Sequence, residues 1–304
     1  MQPKENLPWA LACAGETTTL FQAEAEGERV VTAAGAYAQV SGGRLYYEVA
    51  GAEREPAVVL IHAGFLDRRM WDEQFEMLSG KGFRAVRYDL RGSGLSDRPT
   101  APYDDARDLR DLLDHVGAKT VIPVGLSNGG SVAIDFALAY PQRVKGMVLV
   151  APTVDGYEYG TEQEERMDRS KDEDWGRWEE AMKQGRVDEA IDVHLSIMGQ
   201  SLGAARPKVV SMAKDNYHIF TNPFSELREP KSKPAFKLLG EIRAPTLLIW
   251  GDNDFPGQIT CAERVHQKIS GSSRILVRGA DHLVNISQPG AFNEALLSFL
   301  SVHA

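Results

Sequence analysis

The stretch that decides the fold is Val121-Ile122-Pro123-Val124-Gly125-Leu126-Ser127-Asn128-Gly129-Gly130. An apolar run leads directly into a Gly-x-Ser-x-Gly motif, and a helical pattern over residues 128–140 follows at once. In this strand–turn–helix setting the motif predicts a serine on a tight, strained turn. The flanking glycines lack a Cβ, so the strand and the helix can approach closely. We therefore expect the Ser127 hydroxyl at the carboxyl end of a strand, beside helix N–H groups that favour developing negative charge.

Five further apolar runs resemble the one before Ser127. They do not alternate with polar residues, which is typical of strands buried on both faces of a parallel sheet. Helical patterns lie between them, and this rhythm predicts an α/β fold with a mostly parallel central sheet flanked by helices. The runs span residues 58–61, 85–88, 147–150, 246–250 and 275–277, and the helical patterns span residues 71–78, 105–116, 128–140, 262–269 and 290–300. Earlier in the chain, residues 37–40 and 44–49 flank Gly42-Gly43 and predict a β-hairpin.

Residues 153–240 break this rhythm. They contain no convincing buried strand, and their charged, helix-favouring segments predict a helical cap inserted over the strand ends. The expected organisation is an N-terminal extension at residues 1–35, a core at residues 36–152 and 241–304, and the cap at residues 153–240. Aromatic and methionine side chains of the cap are candidates for lining a substrate pocket, although such side chains more often form a helical core of their own. These candidates are Trp175, Trp178, Met198 and Phe220.

Composition excludes several classes of function. The 304 residues include 34 lysines and arginines against 43 aspartates and glutamates, a net charge of −9, so a broad surface for nucleic acid or for anionic membranes is not expected. No apolar run approaches the ~18 residues of a membrane-spanning helix. Cys13 and Cys261 are the only cysteines and form no framework, which favours a reducing compartment. We expect a cytoplasmic protein with a small-molecule partner, and the oligomeric state stays open.

A serine hydroxyl needs a base, and near neutral pH that base is usually histidine. His282 stands in Gly279-Ala280-Asp281-His282, in the loop after the last apolar run, and loops after parallel strands end at the same sheet edge as the serine turn. His62, at the end of another run, is the rival. The other histidines lie on predicted helices or at the terminus, where surface or structural roles are the default. They are His115, His194, His218, His266 and His303.

The base in turn needs an acid to orient it. Asp254, in Gly251-Asp252-Asn253-Asp254, follows the apolar run at residues 246–250 and should reach the same edge. Asp252 is the main competitor for this role, because it is two residues away in the same turn. Asp155, after the run at residues 147–150, is a second competitor.

The negative charge that forms when a carbonyl is attacked needs hydrogen-bond donors. One should be the backbone N–H of Asn128, directly after the serine. The other should come from the loop His62-Ala63-Gly64-Phe65, with Gly64 and Phe65 as alternatives. His62 then has the bracing of this loop as its expected role. Ser96 lacks a preceding strand and a glycine two positions further on, so we expect it to be a loop or capping residue.

Taken together, these motifs resemble the α/β-hydrolase superfamily, in its capped, esterase- and lactonase-like branch. The resemblance extends over roughly residues 37–300 and includes Asp89-Leu90-Arg91-Gly92-Ser93-Gly94-Leu95-Ser96, which looks like a structural loop of that family. It implies Ser127 as nucleophile, Asp254 as acid and His282 as base, in the chain order of that fold. Two departures concern the oxyanion loop, which has His-Ala-Gly where many members have His-Gly, and Asn128, where methionine, glutamine or histidine are frequent.

The resemblance also bears on the chemistry. Haloalkane dehalogenases and epoxide hydrolases have aspartate at the position of Ser127, whereas serine implies an acyl-enzyme. The sequence thus predicts a serine hydrolase of carboxylic esters or lactones, with a catalytic triad and without a metal or an organic cofactor. Two alternatives stay open: a carbon–carbon bond hydrolase or perhydrolase with the same triad, and a non-catalytic binder of a small ligand.

Overall fold

The computed structural model describes residues 30–32, 35–168, 171–221 and 224–304. Nine strands of these residues form one sheet, in the order β1-β3-β5-β4-β6-β7-β8-β9, with β2 paired to β3 beside this path. The strands are β1 (Val30–Thr32), β2 (Ala36–Val40), β3 (Gly43–Ala52), β4 (Ala57–Ile61), β5 (Ala85–Tyr88), β6 (Val121–Leu126), β7 (Met147–Val150), β8 (Thr246–Gly251) and β9 (Ser273–Val277). The pairings of β3 are antiparallel, and those from β5 through β9 are parallel. The predicted hairpin and the predicted mostly parallel sheet are therefore confirmed.

Helices cover both faces of the sheet. The helices in chain order are α1 (Asp72–Gly80), α2 (Asp105–His115), α3 (Asn128–Ala139), α4 (Glu162–Asp168), α5 (Asp172–Lys183), α6 (Val187–Met198), α7 (Arg206–Asp215), α8 (His218–Thr221), α9 (Ala235–Leu238), α10 (Pro256–Lys268), α11 (Val284–Ser287) and α12 (Pro289–His303). The apolar faces of α2, α3 and α10 pack in one core cluster, and those of α1 and α12 pack in another. None of the helices in the described part has the length and apolarity needed to cross a membrane.

The central strands supply both clusters at once. In β4, Val59 and Ile61 belong to the cluster with α3, whereas Val58 and Leu60 belong to the cluster with α12. Successive side chains of a strand point to opposite faces, so a strand covered on both sides must be apolar throughout. This is why the runs that predicted the sheet show no alternation.

Three features of the structure differ from the sequence-based expectation: the burial of β9, the start of α10 and the position of β1. Strand β9 was expected to be buried on both faces, but it is an edge strand, with Leu276 53% exposed, because a short apolar run does not reveal how many neighbours it has. Helix α10 begins at Pro256, six positions before the expected start, since proline at the first helical turn suits the backbone. Strand β1 lies within the expected N-terminal extension and pairs with the end of β3. The rest of that extension, residues 1–29 and 33–34 with Cys13, lies outside the described residues.

The insertion between β7 and β8 is helical in its described part. Helices α5 and α6 pack on each other, while α4 and α9 pack on the core helices α10 and α3. The insertion thus begins and ends against the core. Its middle helices α5 and α6 lie over the carboxyl edge of the sheet, where Trp175 contacts Phe255 and His194 contacts Phe65. The division into separate core and cap domains at residues 153 and 240 stays a prediction.

Candidate active site

Ser127 sits in a strained turn between β6 and α3. Its φ of 55° and ψ of −116° are rare for a residue with a side chain. The glycines on either side make the turn possible: a Cβ on Gly125 would lie 2.2 Å from the carbonyl oxygen of Gly129, and a Cβ on Gly129 would lie 2.2 Å from that of Ile61. The N–H of Ser127 donates to the carbonyl of Val150 at the end of β7 (2.9 Å), which fixes the turn to the sheet.

Asp254 and His282 form a buried pair at the carboxyl edge of the sheet. Nδ1 of His282 donates to Oδ2 of Asp254 over 2.9 Å, and both side chains are almost fully buried. Oδ1 of Asp254 accepts from the N–H of Phe255 at 2.8 Å, so the carboxylate is held in place. With the proton on Nδ1, the tautomer inferred from this bond leaves Nε2 as the unprotonated nitrogen.

Two neighbouring strands bring this pair together. Asp254 follows β8 and His282 follows β9, and the N–H of Asn253 donates to the carbonyl of Ala280 across the gap (2.9 Å). Gly251 is needed here, because a Cβ would lie 2.1 Å from that same carbonyl oxygen. The close approach of the two loops is therefore fixed by backbone contacts and not only by the hydrogen bond between His282 and Asp254.

Nε2 of His282 is buried, and no hydrogen bond from the described residues reaches it. The structure thus joins His282 to Asp254 and leaves the hydrogen bond between Ser127 and His282 unmade. In ligand-free sites such bonds are often long and tighten only when substrate is present. Ser127 and His282 lie after strands of the same parallel run, at the same sheet edge.

The competing residues have other partners. Asp252 is exposed and accepts from the N–H of Gly279 at 2.6 Å, which supports the His282 loop from outside. Asp155 is exposed and lines a cavity near Asp135. His62 is fully buried, with Nδ1 donating to the carbonyl of Ala63 (2.7 Å) and Nε2 accepting from the N–H of Leu90 (2.8 Å). This bridge between two loops agrees with the bracing role predicted for His62.

The predicted oxyanion loop lies against the turn that carries Ser127. A Cβ added to Gly64 would lie 3.5 Å from Cβ of Asn128, so the backbones of these two residues are neighbours. Phe65 is buried beside it. Gly64 and Phe65 both remain candidates for the second donor, with Asn128 as the first. Ser96 lies in a loop, as expected, and its hydroxyl donates to the carbonyl of Asp89 at 2.6 Å and accepts from the N–H of Tyr46 at 2.9 Å.

The insertion contributes His194, one of the histidines for which a surface or structural role is the sequence-based expectation. His194 of α6 is 7% exposed, and its ring lies 4.2 Å from that of Phe65 and 5.6 Å from that of Trp175. Trp175 in turn contacts Phe255, whose ring is 6.0 Å from His282. A continuous layer of aromatic rings therefore connects the insertion to His282. The sequence pattern that could have revealed His194 is its place between Ala190 and Ile197 on the buried face of α6.

The surroundings of His194 keep its ring neutral. Burial lowers its pKa to about 3, and the nearby His282 adds to the shift, because two positive imidazoliums would repel each other. The same region includes Trp178, whose ring is 5.9 Å from His194. Of the other predicted lining residues, Met198 is half-buried against the core cluster of α12, and the side chain of Phe220 lies outside the described residues.

Three hydrogen bonds join the insertion to the loops of the site. The N–H of Ser201 donates to Oδ2 of Asp281 at 2.7 Å. Nδ2 of Asn216, at the end of α7, donates to Oδ2 of Asp67 at 2.8 Å, and Oδ1 of Asn216 accepts from the N–H of Gly94 at 2.8 Å. Asn216 and Asp67 are both fully buried, so these bonds are shielded from water.

The chemistry open to these groups is limited. An oriented neutral histidine with an unprotonated nitrogen can accept a proton, and a serine on a strained turn can attack an electrophile. In the part of the chain that the structure describes, no three His, Cys, Asp or Glu side chains are grouped as a metal site.

The chain is similar to several known proteins. The family model described as the alpha/beta hydrolase fold matches residues 56–289. The carboxylesterase YbfK of Bacillus subtilis (strain 168) is 25% identical over 277 residues, covering 87% of this chain and 86% of its own length. The 2-hydroxy-6-oxononadienedioate/2-hydroxy-6-oxononatrienedioate hydrolase of Escherichia coli (strain K12) is 25% identical over 272 residues, covering 85% and 91%.

A solved structure gives the same result for the fold. The enol-lactonase of Burkholderia xenovorans LB400 superposes with a TM-score of 0.68 at 23% identity and covers 88% of this chain and 100% of its own. The two sequence relatives are both named as hydrolases, one of them a carboxylesterase and the other a hydrolase of dienedioates and trienedioates. With a family model spanning most of the chain and a strand–turn–helix serine at its centre, the protein belongs to the family of the alpha/beta-hydrolase fold.

Proposed function

We propose that this protein is a serine hydrolase that cleaves carboxylic esters or lactones through an acyl-enzyme. The observation that carries the proposal is the buried bond between Asp254 and His282, which leaves Nε2 of His282 without a hydrogen bond from the described residues. Ser127 lies at the same sheet edge on a strained turn, an arrangement that a protein with a merely structural serine does not need. The carboxylesterase relative supports ester hydrolysis.

Acylation uses each of these groups once. Nε2 of His282 takes the hydroxyl proton of Ser127 while Oγ attacks the carbonyl carbon, and Asp254 stabilises the imidazolium that forms. The oxyanion is bound by the N–H of Asn128 and that of Gly64 or Phe65. The intermediate then expels the alcohol oxygen, which receives the proton from Nε2. In a lactone this alcohol stays attached to the acyl group.

Deacylation repeats the steps with water. Nε2 of His282 takes a proton from a water molecule, the resulting hydroxide attacks the acyl carbon, and the same donors bind the oxyanion. The bond to Oγ of Ser127 breaks, and Oγ regains its proton from His282. The products are a carboxylic acid and the free enzyme, and no external oxidant or cofactor enters the balance.

The aromatic layer between the cap and the core favours a substrate with an apolar acyl or alcohol group next to the reacting carbonyl. Trp175 and His194 lie between Phe65 and Phe255, the latter in ring contact with His282. A neutral His194 adds a polar atom without a charge. This environment favours a substrate that presents carbon atoms to the cap side of the site.

A substrate panel tests the proposal. The wild type and Ser127→Ala are assayed on 4-nitrophenyl butyrate, on a γ-lactone and on a 1,5-diketone with a conjugated enol. We expect turnover of the ester or the lactone by the wild type and a loss of about 10⁴-fold or more in kcat for the variant. Equal turnover by the two proteins would contradict the proposal.

Carbon–carbon bond hydrolysis is the second candidate, supported by the hydrolase relative of Escherichia coli. In the same panel, turnover of the diketone without turnover of esters or lactones would favour it. Absence of turnover on every compound, together with saturable binding of one of them, would instead favour a non-catalytic binder.

A further inference from the structure

Arg228 lies in the segment that returns the chain from the cap to the core. Its side chain lines two cavities. One, of about 240 Å³, is lined by residues that include Arg228, Asn128 and Asp135. The other, of about 190 Å³, is lined by residues that include Arg228, Asn128 and Gly64. We call the first the acidic cavity and the second the Gly64 cavity. Arg228 and Asn128, directly after Ser127, border both.

The two cavities differ in charge. The acidic cavity is lined by two cationic and five carboxylate side chains, which are Arg228, Lys231, Asp104, Asp105, Asp135, Asp155 and Glu229. The Gly64 cavity has no carboxylate among its lining residues, and its two cations are Arg91 and Arg228. The side chain of Arg91 is only 1% exposed and is paired with Asp108. Arg228, with 42% of its side chain exposed, therefore supplies the accessible positive charge of the Gly64 cavity.

The guanidinium of Arg228 is only partly engaged. Nε lies 3.0 Å from Oδ2 of Asp105 and donates to the hydroxyl of Tyr103 at 3.2 Å. Nη2 donates to Oδ1 of Asn128 over a long 3.3 Å. Within the described residues Nη1 has no hydrogen-bond acceptor. Because a guanidinium has five N–H donors in a planar fork, donors of Arg228 are left for a further acceptor.

We propose that the Gly64 cavity is a subsite for a carboxylate at the far end of the substrate, and that Arg228 binds this carboxylate. The inference rests on the proposed function, because it takes Gly64 and Asn128 as neighbours of the reacting carbonyl. A substrate whose carbonyl is held there extends directly into the cavity that these two residues share with Arg228. The substrate class is then a monoester or lactone of an acid that carries a second carboxylate.

The charge balance favours a carboxylate over a phosphate. Asp105 already neutralises part of the charge of Arg228, and Asp108 does the same for Arg91. The remaining attraction suits one negative charge and the planar, two-oxygen geometry that a guanidinium fork matches. A phosphate dianion would meet too little positive charge in this cavity.

The test compares two esters of equal chain length, 4-nitrophenyl hydrogen adipate and 4-nitrophenyl hexanoate. We expect Arg228→Gln to lower kcat/KM for the adipate ester about tenfold to hundredfold, the range of a lost charge-assisted bond, and to change the hexanoate ester less than threefold. Arg228→Lys, which keeps the charge but loses the fork, should fall between. Equal losses on both esters would overturn the inference and leave ester hydrolysis standing.

Arg107→Gln is the matched control. Arg107 pairs with Glu229, the next residue along the same segment, but does not line the Gly64 cavity. This variant should keep the preference between the two esters, so a loss of preference in it would assign the effect to a loosened segment and overturn the role of Arg228.

Calorimetric binding of free adipate gives a readout that does not require turnover. We expect saturable binding to the wild type, at least tenfold weaker binding to Arg228→Gln, and no competition by inorganic phosphate at equal concentration. Unchanged adipate binding in Arg228→Gln would overturn the inference. Displacement of adipate by inorganic phosphate at equal concentration would overturn the assignment to a carboxylate. If neither ester is hydrolysed, the proposed function fails while this binding result still decides the subsite.

Discussion

Asp281, the residue before His282, accepts a 2.7 Å hydrogen bond from the backbone N–H of Ser201 in the insertion between β7 and β8. Its other oxygen accepts from the N–H of Leu283 at 3.0 Å, and its side chain is fully buried. One carboxylate thus joins the insertion to the loop that carries the proposed base. The position of the insertion and that of His282 are expected to be coupled through it.

Asp281→Ala should weaken both the fold and the activity. The N–H groups of Ser201 and Leu283 would lose their acceptor, at a cost of about 1–3 kcal/mol for a buried donor. Chemical denaturation and ester kinetics measure the two effects, and kcat should fall because His282 is less well held. Ser201→Ala is the control, since the donor is a backbone N–H that this change retains. A drop in kcat for Ser201→Ala as large as that for Asp281→Ala would contradict the coupling.

Asp254→Asn should lower kcat by a factor of about 10³ to 10⁴, because the amide no longer holds His282 in the tautomer with Nε2 unprotonated. Asp252→Asn should leave kcat within a few-fold, since Asp252 supports only the N–H of Gly279 at the exposed side of the loop. Steady-state kinetics on one activated ester compare the two variants. The reverse ranking would transfer the role of the acid to Asp252.

Gly129→Ala should destabilise the protein by about 3 kcal/mol or more, because the new Cβ would lie 2.2 Å from the carbonyl oxygen of Ile61, a backbone atom that cannot turn away. Gly176→Ala is the matched control. Gly176 lies inside α5 with nothing within 4 Å of its Cβ position, and alanine should stabilise that helix by about 1 kcal/mol. Urea unfolding measures both, and a Gly129→Ala protein as stable as the wild type would contradict the close packing of the turn.

His194 should make the protein less stable as the pH falls. Its pKa is about 3 in the folded protein and near 6.5 in the unfolded chain, so the unfolded state binds a proton that the folded state excludes. The contribution of the neutral His194 ring to the free energy of unfolding is therefore complete above about pH 6.5 and is lost progressively toward pH 3. At pH 4.5 this single group should lower the free energy of unfolding by about 2.5 kcal/mol relative to pH 7.

His194→Gln should remove that part of the pH dependence. Unfolding free energies measured from pH 7 to pH 4.5 should fall less in this variant than in the wild type, whatever its stability at pH 7. His115→Gln, at an exposed position, serves as control and should keep the wild-type slope. An unchanged slope in His194→Gln would show that the ring is not held neutral.

The parts of the site that the sequence predicted are those set by short motifs. The glycines around Ser127 and the loops after two apolar runs are local features, and the rule that parallel strands end at one edge brings the loops together. The pairing of His282 with Asp254 rather than with Asp252 follows this prediction. The catalytic roles of Ser127, Asp254 and His282 stay predictions.

What the sequence could not show depends on packing between distant elements. The place of His194 is set by how α6 lies over Phe65, and a helix face does not state what it faces. The exposure of β9 depends on the absence of a further strand beside it in the described sheet, which its apolar run does not encode. Arg228 reaches Asn128 across 100 residues of chain, and no local pattern marks that contact.

The proposed hydrolysis depends most on activation of the Ser127 hydroxyl by His282. Labelling with a fluorophosphonate, followed by mass spectrometry of the peptides, tests this directly, because only an activated serine reacts quickly. We predict a single adduct at Ser127, formed rapidly in the wild type, slowly in His282→Ala and not at all in Ser127→Ala. A wild-type protein that hydrolyses esters while Ser127 remains unmodified, or equally fast labelling of His282→Ala, would contradict it.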